Sequence, residues 1–324
     1  MRLQQENPTC RVTVVRSGGL GDTILLLPTL RVLTRMLPEA QITLVGSSWA
    51  RRLLPLLPER PRFVPFDSPD LTHLFSPNAR KEPAGVFAEA DLVIIYTADG
   101  HGPLAQNARR LCDGGVLNWP VEPPGRTHAA CHFAAALLHE YPGLQDIPEP
   151  RLSNRLRAEP KHSPKRPTAA VHPGSGGHHK VWPVCRFVHL IQELDALGVE
   201  VFMPQGPADA QLCSELCRRL PNGSLKDPEQ LPLVNCAARL STCDVYIGND
   251  SGVSHLAAAL GVPTVAIFGP TDPAVWRPVG QHVKVVDSRN SGDWKWPDVG
   301  SVLLSIRKLL DTPHAADKGP SESR

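Results

Sequence analysis

The stretch RVTVVRSGGLGDTILLLPTLRVLTRMLPEAQITLVG, residues 11–46, decides the fold. Val12–Arg16 is an apolar run of strand length, Thr23–Leu37 repeats apolar residues at helical spacing, and Gln41–Gly46 is a second strand after the connection Pro38-Glu39-Ala40. Strand, helix, strand is the unit from which parallel sheets with helices on both faces are built. Outward from it, Asp91–Tyr96 (DLVIIY) reads as a buried strand of the same half and Cys131–Glu140 as a helix. The region from Pro142 to Pro167 is dense in Pro, Arg and Lys without a long apolar period, and reads as a linker. The alternation then restarts, with strands at Thr168–His172, Val199–Pro204, Val245–Gly248 and Thr264–Phe268. Helices are expected at Val184–Leu197, Ala208–Leu220, Leu231–Leu240 and Val253–Leu260, with Ser301–Leu310 as a terminal helix. The chain is therefore α/β, in two similar halves.

Bulk properties agree with that reading and exclude several classes. The 324 residues are 41% hydrophobic and 20% charged, a globular composition, and exceed what one core usually serves. Thirty-four basic against thirty-two acidic residues leave a formal charge of +2, which excludes the strongly basic footprint of a nucleic-acid binder. The cysteines at 10, 112, 131, 185, 213, 217, 236 and 243 form no C-x-x-C pair or small-domain framework and read as reduced thiols. Met1 to Cys10 is polar where a signal peptide needs an apolar core, so a cytoplasmic location is expected. The uncharged stretch Ser251 to Thr271 is broken by Gly261-Val262-Pro263 and Gly269-Pro270, which excludes a spanning helix.

Three clusters fall at strand ends, where open α/β sheets bind ligands. The first is Arg16-Ser17-Gly18-Gly19-Leu20-Gly21-Asp22-Thr23. Aligning Gly19 and Gly21 with a dinucleotide fingerprint puts Ile24 where the third glycine belongs, which weakens a dehydrogenase reading. Asp22, at a helix start, is either a cap or a base aimed into a cleft. The second is His172-Pro173-Gly174-Ser175-Gly176-Gly177-His178-His179-Lys180-Val181-Trp182-Pro183, a glycine turn followed by a lysine. It resembles a phosphate cradle without being a Walker A loop, and a flexible turn with an exposed lysine is the plain alternative. The third is Ile247-Gly248-Asn249-Asp250-Ser251-Gly252-Val253-Ser254-His255, followed by Leu256 to Pro263. Asp250 or Ser251 can cap a helix whose first N–H groups favour an anion, with His255 one turn on. An ordinary capped helix is the alternative.

Weaker candidates remain. His128 and His132 flank Cys131 at metal-binding spacing, but no carboxylate completes the set, and a structural role is the preferred reading. Cys213 and Cys217 read as core packing. Asp209, after Phe202-Met203-Pro204-Gln205-Gly206, is either a ribose ligand or a surface carboxylate. Arg51-Arg52 beside Leu53, Leu54, Leu56 and Leu57 is a basic and apolar patch for a leaflet, or an amphipathic helix with solvated arginines, the preferred reading.

In this order, RSGGLGDTILLLPTLRVL, HPGSGGHHKVWP and IGNDSGVSHLAAALGVPTVAIFGPTDPAVW resemble glycosyltransferase family 9, the ADP-heptose:lipopolysaccharide heptosyltransferases, from about Arg11 to Val279. The resemblance implies a GT-B architecture of two Rossmann-like domains facing across a cleft. The acceptor domain would span 1–158 and the nucleotide-sugar domain 168–297. A terminal helix at 298–311 would pack back on the first domain, and 312–324 would be a disordered tail. By the same resemblance Asp22 is the general base, and Gly18, Gly19 and Gly21 form the acceptor-side loop. Lys180, Asp250, Ser251, Gly252 and His255 would meet the donor, and Asp209 its ribose. The implied reaction is an inverting, metal-independent transfer of heptose from an ADP-linked donor to a lipopolysaccharide-core or related glycan. No cofactor and no metal would be needed, and peripheral contact with the inner membrane would follow from a lipid-linked acceptor.

Two alternatives use the same fold: a nucleotide-sugar epimerase, which needs no acceptor, and a non-catalytic nucleotide-sugar-binding protein. The segment from Asp67 to Arg126 matches no particular glycan, and His73, Arg80, His101 and Arg109 are candidates to meet a phosphorylated lipid sugar.

Overall fold

The computed structural model describes residues 10–76, 85–140, 166–221, 225, 228–289 and 295–311. The chain divides into two compact units, one of 1–156 with 274–280 and one of 157–273 with 281–324. The linker expected from Pro142 to Pro167, but for residues 166 and 167, and the tail from 312 lie outside the described residues.

The strands are β1 (Arg11–Arg16), β2 (Gln41–Gly46), β3 (Arg62–Pro65), β4 (Leu92–Tyr96) and β5 (Gly115–Trp119) in the first unit. The second has β6 (Thr168–His172), β7 (Glu200–Phe202), β8 (Val245–Asn249), β9 (Thr264–Ile267) and β10 (Val283–Val286). In chain order the helices are α1 (Leu20–Leu25), α2 (Leu27–Met36), α3 (Pro69–Thr72), α4 (Gly85–Ala88), α5 (Pro103–Leu111), α6 (Ala129–Glu140), α7 (Val184–Ala196), α8 (Ala210–Arg219), α9 (Leu233–Leu240), α10 (Gly252–Ala259), α11 (Pro273–Trp276) and α12 (Val299–Leu310).

In the first unit the strand order is β3-β2-β1-β4-β5, all parallel. In the second it is β10-β9-β8-β6-β7, again all parallel. Each sheet reverses direction of progress beside its first strand, between β1 and β4 and between β6 and β8. That reversal opens a crevice at the carboxyl ends, where ligands of open sheets bind. Leu92–Tyr96 and Val245–Asn249 are buried along their whole length, as strands covered on both faces must be. The two reversal points are tied alike. Arg11 N–H donates to Asp91 Oδ2 at 2.7 Å, and Thr168 N–H to Asp244 Oδ2 at 2.7 Å.

The helix expected over Thr23–Leu37 is two helices. They meet at Leu26, and Pro28 in the first turn of α2 cannot donate to the preceding turn. The last helix packs on the core of the second unit. Its Val299, Val302, Ile306 and Leu309 join the core around Trp182, Phe187 and Ile247, because those four positions form one apolar face. The segment 274–280 groups with the first unit, inside what the sequence assigns to a continuous 168–297 domain. Three of the four leucines of the proposed leaflet patch are core: Leu53, Leu56 and Leu57 are buried, Leu54 is half-buried, and Arg51, Arg52 and Pro55 are exposed. No helix among the described residues is long and apolar enough to cross a membrane.

Candidate functional site

In the second unit, β6 and β8 end side by side, so the glycine loop after His172 and the turn after Asn249 meet. Asn249, fully buried, joins them. Its Oδ1 accepts the Trp182 N–H at 3.0 Å, and its Nδ2 donates to Pro173 O at 2.6 Å. Trp182 is itself fully buried, donating from Nε1 to Pro297 O at 2.9 Å and meeting Phe187 edge-on at 5.0 Å. The indole is therefore an anchor that fixes where Lys180, two residues earlier, presents its ammonium.

Lys180 Nζ donates to Asp250 Oδ2 at 2.9 Å, with the lysine side chain 29% and the aspartate 8% exposed. Thr271 Oγ1 donates to the same oxygen at 2.8 Å, and Ser175 Oγ to Asp250 O at 2.7 Å. Asp250 thus gathers the glycine loop, the lysine and the segment after β9. Ser251 caps α10, its Oγ accepting the Ser254 N–H at 3.4 Å, which decides between the two caps the sequence allows. Gly252 and Val253, half-buried, follow at the tip, where helix N–H groups have no partner within the helix. His255 is buried within α10's packed layer at 4% exposure, not open at the tip. Ser254 Oγ and the buried Tyr246 hydroxyl bond to each other at 3.1 Å, and burial pushes the tyrosine pKa up.

Asp209 faces the glycine loop from the connection after β7. Its Oδ2 accepts the Gly206 N–H at 3.0 Å and faces His172 Nε2 at 3.1 Å. A Cβ on Gly174 would collide with its carboxylate, so glycine is required there. Burial would raise the Asp209 pKa, but the His172 hydrogen bond and charge, with the Gly206 N–H, outweigh it and leave it lowered.

In the first unit the loop after β1 presents Asp22. Arg16 Nη2 donates to Asp22 Oδ1 at 2.6 Å and Gly19 N–H to Oδ2 at 2.8 Å, so the residue does cap α1. Its side chain remains 31% exposed. Ser47 and Trp49 pin the loop, donating to Gly18 O at 3.1 Å each. Gly21 lies within α1, half-buried.

The remaining candidates separate. His132 bonds Pro120 O at 2.8 Å, His128 bonds Arg277 O at 2.9 Å, and Cys131 is exposed. Among the described residues no three metal-binding side chains converge. Cys213 is buried in the core and its thiol pushed up to about 12 by burial. His101 and Arg109 meet at the turn after β4: His101 N–H donates to Asp99 Oδ1 at 3.0 Å and Arg109 reaches Gly100 O at 3.4 Å. His73 is half-buried on the 3-10 turn before 77, and Arg80 lies outside the described residues.

Asn249, Ser175, Thr271, His172 and Arg16 are the parts of these two loops that sequence reasoning did not assign. All five sit inside quoted motifs, but their roles depend on contacts across as many as 76 positions, which no spacing rule shows.

Residues 116–298, more than half the chain, match the family model for glycosyltransferase family 9 (heptosyltransferase). The chain belongs to glycosyltransferase family 9. It is a glycosyltransferase, and its two parallel-sheet α/β units are those of the GT-B type. This family-9 chain is 23% identical to lipopolysaccharide heptosyltransferase 2 of Escherichia coli (strain K12) over 317 residues, covering 85% of the chain and 87% of that protein. The structure of the E. coli ADP-heptose lps heptosyltransferase II superposes with a TM-score of 0.73 at 19% identity, covering 93% of this chain and 98% of that one. E. coli heptosyltransferase WaaC with ADP gives 0.68 at 18% identity, covering 92% and 99%.

Proposed function

We propose that this enzyme is an inverting, metal-independent heptosyltransferase taking heptose from an ADP-linked donor to a lipopolysaccharide-core glycan. One observation carries the reading. A lysine ammonium is held 2.9 Å from a carboxylate beside the N-terminus of α10, with a glycine loop against it. That combination suits a diphosphate. Lys180 keeps two of its three N–H donors beyond Asp250, and the N–H groups at Gly252 and Val253 add the favourable end of a helix dipole. The names of the relatives support ADP and heptose as the donor's parts.

In the reaction the acceptor hydroxyl oxygen bonds to the anomeric carbon while the bond from that carbon to the diphosphate oxygen breaks. The electron pair leaves with ADP, the anomeric configuration inverts, and the hydroxyl proton passes to the Asp22 carboxylate. Asp22 suits the part because each carboxylate oxygen spends one lone pair on its own loop and keeps another. Lys180 and the α10 tip meet the charge that grows on the leaving diphosphate. Asp250 serves the donor through Lys180 and Thr271, whereas Asp209 and His255, both largely enclosed, would contact it less directly. His101 and Arg109 are proposed to meet acceptor phosphate. A cytoplasmic enzyme touching the inner membrane only through its acceptor fits the reading.

The test is a thermal-shift screen against ADP-, UDP- and GDP-linked sugars, followed by label transfer. ADP-heptose should stabilise most, and label should appear in a heptose-free lipopolysaccharide core. Recovery of the label only as an epimerised donor would make the enzyme an epimerase. Binding without any turnover would make it a binder.

A further inference from the structure

We infer that Arg16 is a positioning residue for the transfer, holding the Asp22 carboxylate in the orientation in which it takes the acceptor's proton. The inference rests on Asp22 being the base. Arg16 ends β1 with its side chain 11% exposed, and its guanidinium carbon lies 5.1 Å from the centre of the Phe133 ring on α6. Its hydrogen bond to a side chain goes to Asp22 Oδ1, while its buried Nε has no partner among the described residues. An arginine seated for its own satisfaction would not leave that N–H unmet. A part-buried ion pair also seldom contributes much net stability, so stability is a poor reason for this one.

What the arrangement achieves is orientation. Arg16 fixes one carboxylate oxygen and the Gly19 N–H the other, and two anchors on two oxygens set the carboxylate plane. The terminal torsion of an aspartate is otherwise broad. Gly18 keeps that side clear, since a Cβ there would fall 2.7 Å from Asp22 Oδ2. The Asp22 side chain stays 31% exposed, so a hydroxyl can reach the lone pairs that remain. The proton moves from the acceptor oxygen to one of these lone pairs, and Arg16 keeps all of its own protons. A guanidinium suits this better than an ammonium, because it is planar, permanently charged and preorganised on its aromatic neighbour.

The experiment measures ADP release from ADP-heptose with a heptose-free lipopolysaccharide core as acceptor. It compares the wild type with Arg16→Gln, Arg16→Lys, and Arg16→Ala with and without added methylguanidinium. Misplacing a base by about 1 Å costs on the order of 10²-fold, so Arg16→Gln is expected to lose about that much kcat. ADP affinity, measured by calorimetry, should stay at the wild-type value. Arg16→Lys should retain more kcat than Arg16→Gln, and methylguanidinium should raise the kcat of Arg16→Ala. Wild-type kcat in Arg16→Gln would overturn the inference. So would a loss of kcat matched by a loss of ADP affinity, with no recovery in Arg16→Lys or with methylguanidinium, since that marks a structural role. If Asp22→Asn abolishes transfer and Arg16→Gln does not, only this inference fails. If Asp22→Asn keeps full activity, the reading of the base fails and takes Arg16 with it.

Discussion

The loops after β1 and β6 use the same clamp to opposite ends. In each, the last strand residue is basic and faces an aspartate that also takes a glycine N–H three residues before it: Arg16 with Asp22 and Gly19, His172 with Asp209 and Gly206. In each, a glycine leaves no room for a Cβ beside that carboxylate, Gly18 in one and Gly174 in the other. The aspartates differ in what they are left free to do. Asp22 follows its own loop and keeps 31% of its side chain exposed, whereas Asp209 comes from the next connection and keeps 13%. The same bonding pattern therefore aims one carboxylate at solvent and turns the other into a brace for a phosphate-type loop. On the proposed reading, exposure more than the identity of the partners separates the reactive carboxylate from the bracing one.

The comparison is broken most directly at the exposed carboxylate. Asp22→Asn keeps an oxygen for the Gly19 N–H but is no base, and should lower kcat by about 10³-fold, within the range for a lost general base. ADP affinity, read by calorimetry, should not move. Lys180→Ala is next: losing one donor to the growing charge should cost about 10²-fold in kcat and weaken ADP as well. A variant that lost kcat and bound ADP at full strength would place the diphosphate elsewhere.

Within the braced loop, Gly174→Ala forces its methyl onto the Asp209 carboxylate and should destabilise the protein by about 1–3 kcal/mol, as overpacking does. Denaturant midpoints would measure it. Acid should undo the same brace. Asp209 titrates below its ordinary 3.8, so its contribution to stability is present above that value and is lost as the pH falls through its lower folded-state value. The difference in Tm between wild type and Asp209→Asn should hold steady on descending to about pH 5 and close below about pH 4. A gap that widened in acid would reverse the assigned sign. The smallest effect is expected at Gly176, where a Cβ would meet nothing within 4 Å, and Gly176→Ala should stay within about 0.5 kcal/mol of wild type.

How much of this was legible follows from what each feature depends on. The central strands announce themselves, because burial on both faces demands apolar runs such as Leu92–Tyr96. Three of the four edge strands, β3, β5 and β10, do not: Arg62–Pro65 and Gly115–Trp119 have no fully buried position, and short half-exposed strands carry no period to read. Lys180, Asp250 and Ser251 could be named because motifs place them, and the structure does bring them together. Asp22 could be named; its cap is seen and its side chain stays accessible, and the role of base is the proposal built on that accessibility. Asn249 and Arg16 were hidden for another reason. Their significance lies in which distant backbone or ring they reach, Pro173 for one and Phe133 for the other.

The excursion of 274–280 into the first unit bears on how the protein can be cut. Cleavage at the connection near 156 would not yield two self-sufficient fragments, because the carboxyl-terminal piece would carry away the Arg277 carbonyl on which His128 rests. Attempts to express either half alone should give material that refolds poorly unless both pieces are supplied together, as in fragment complementation.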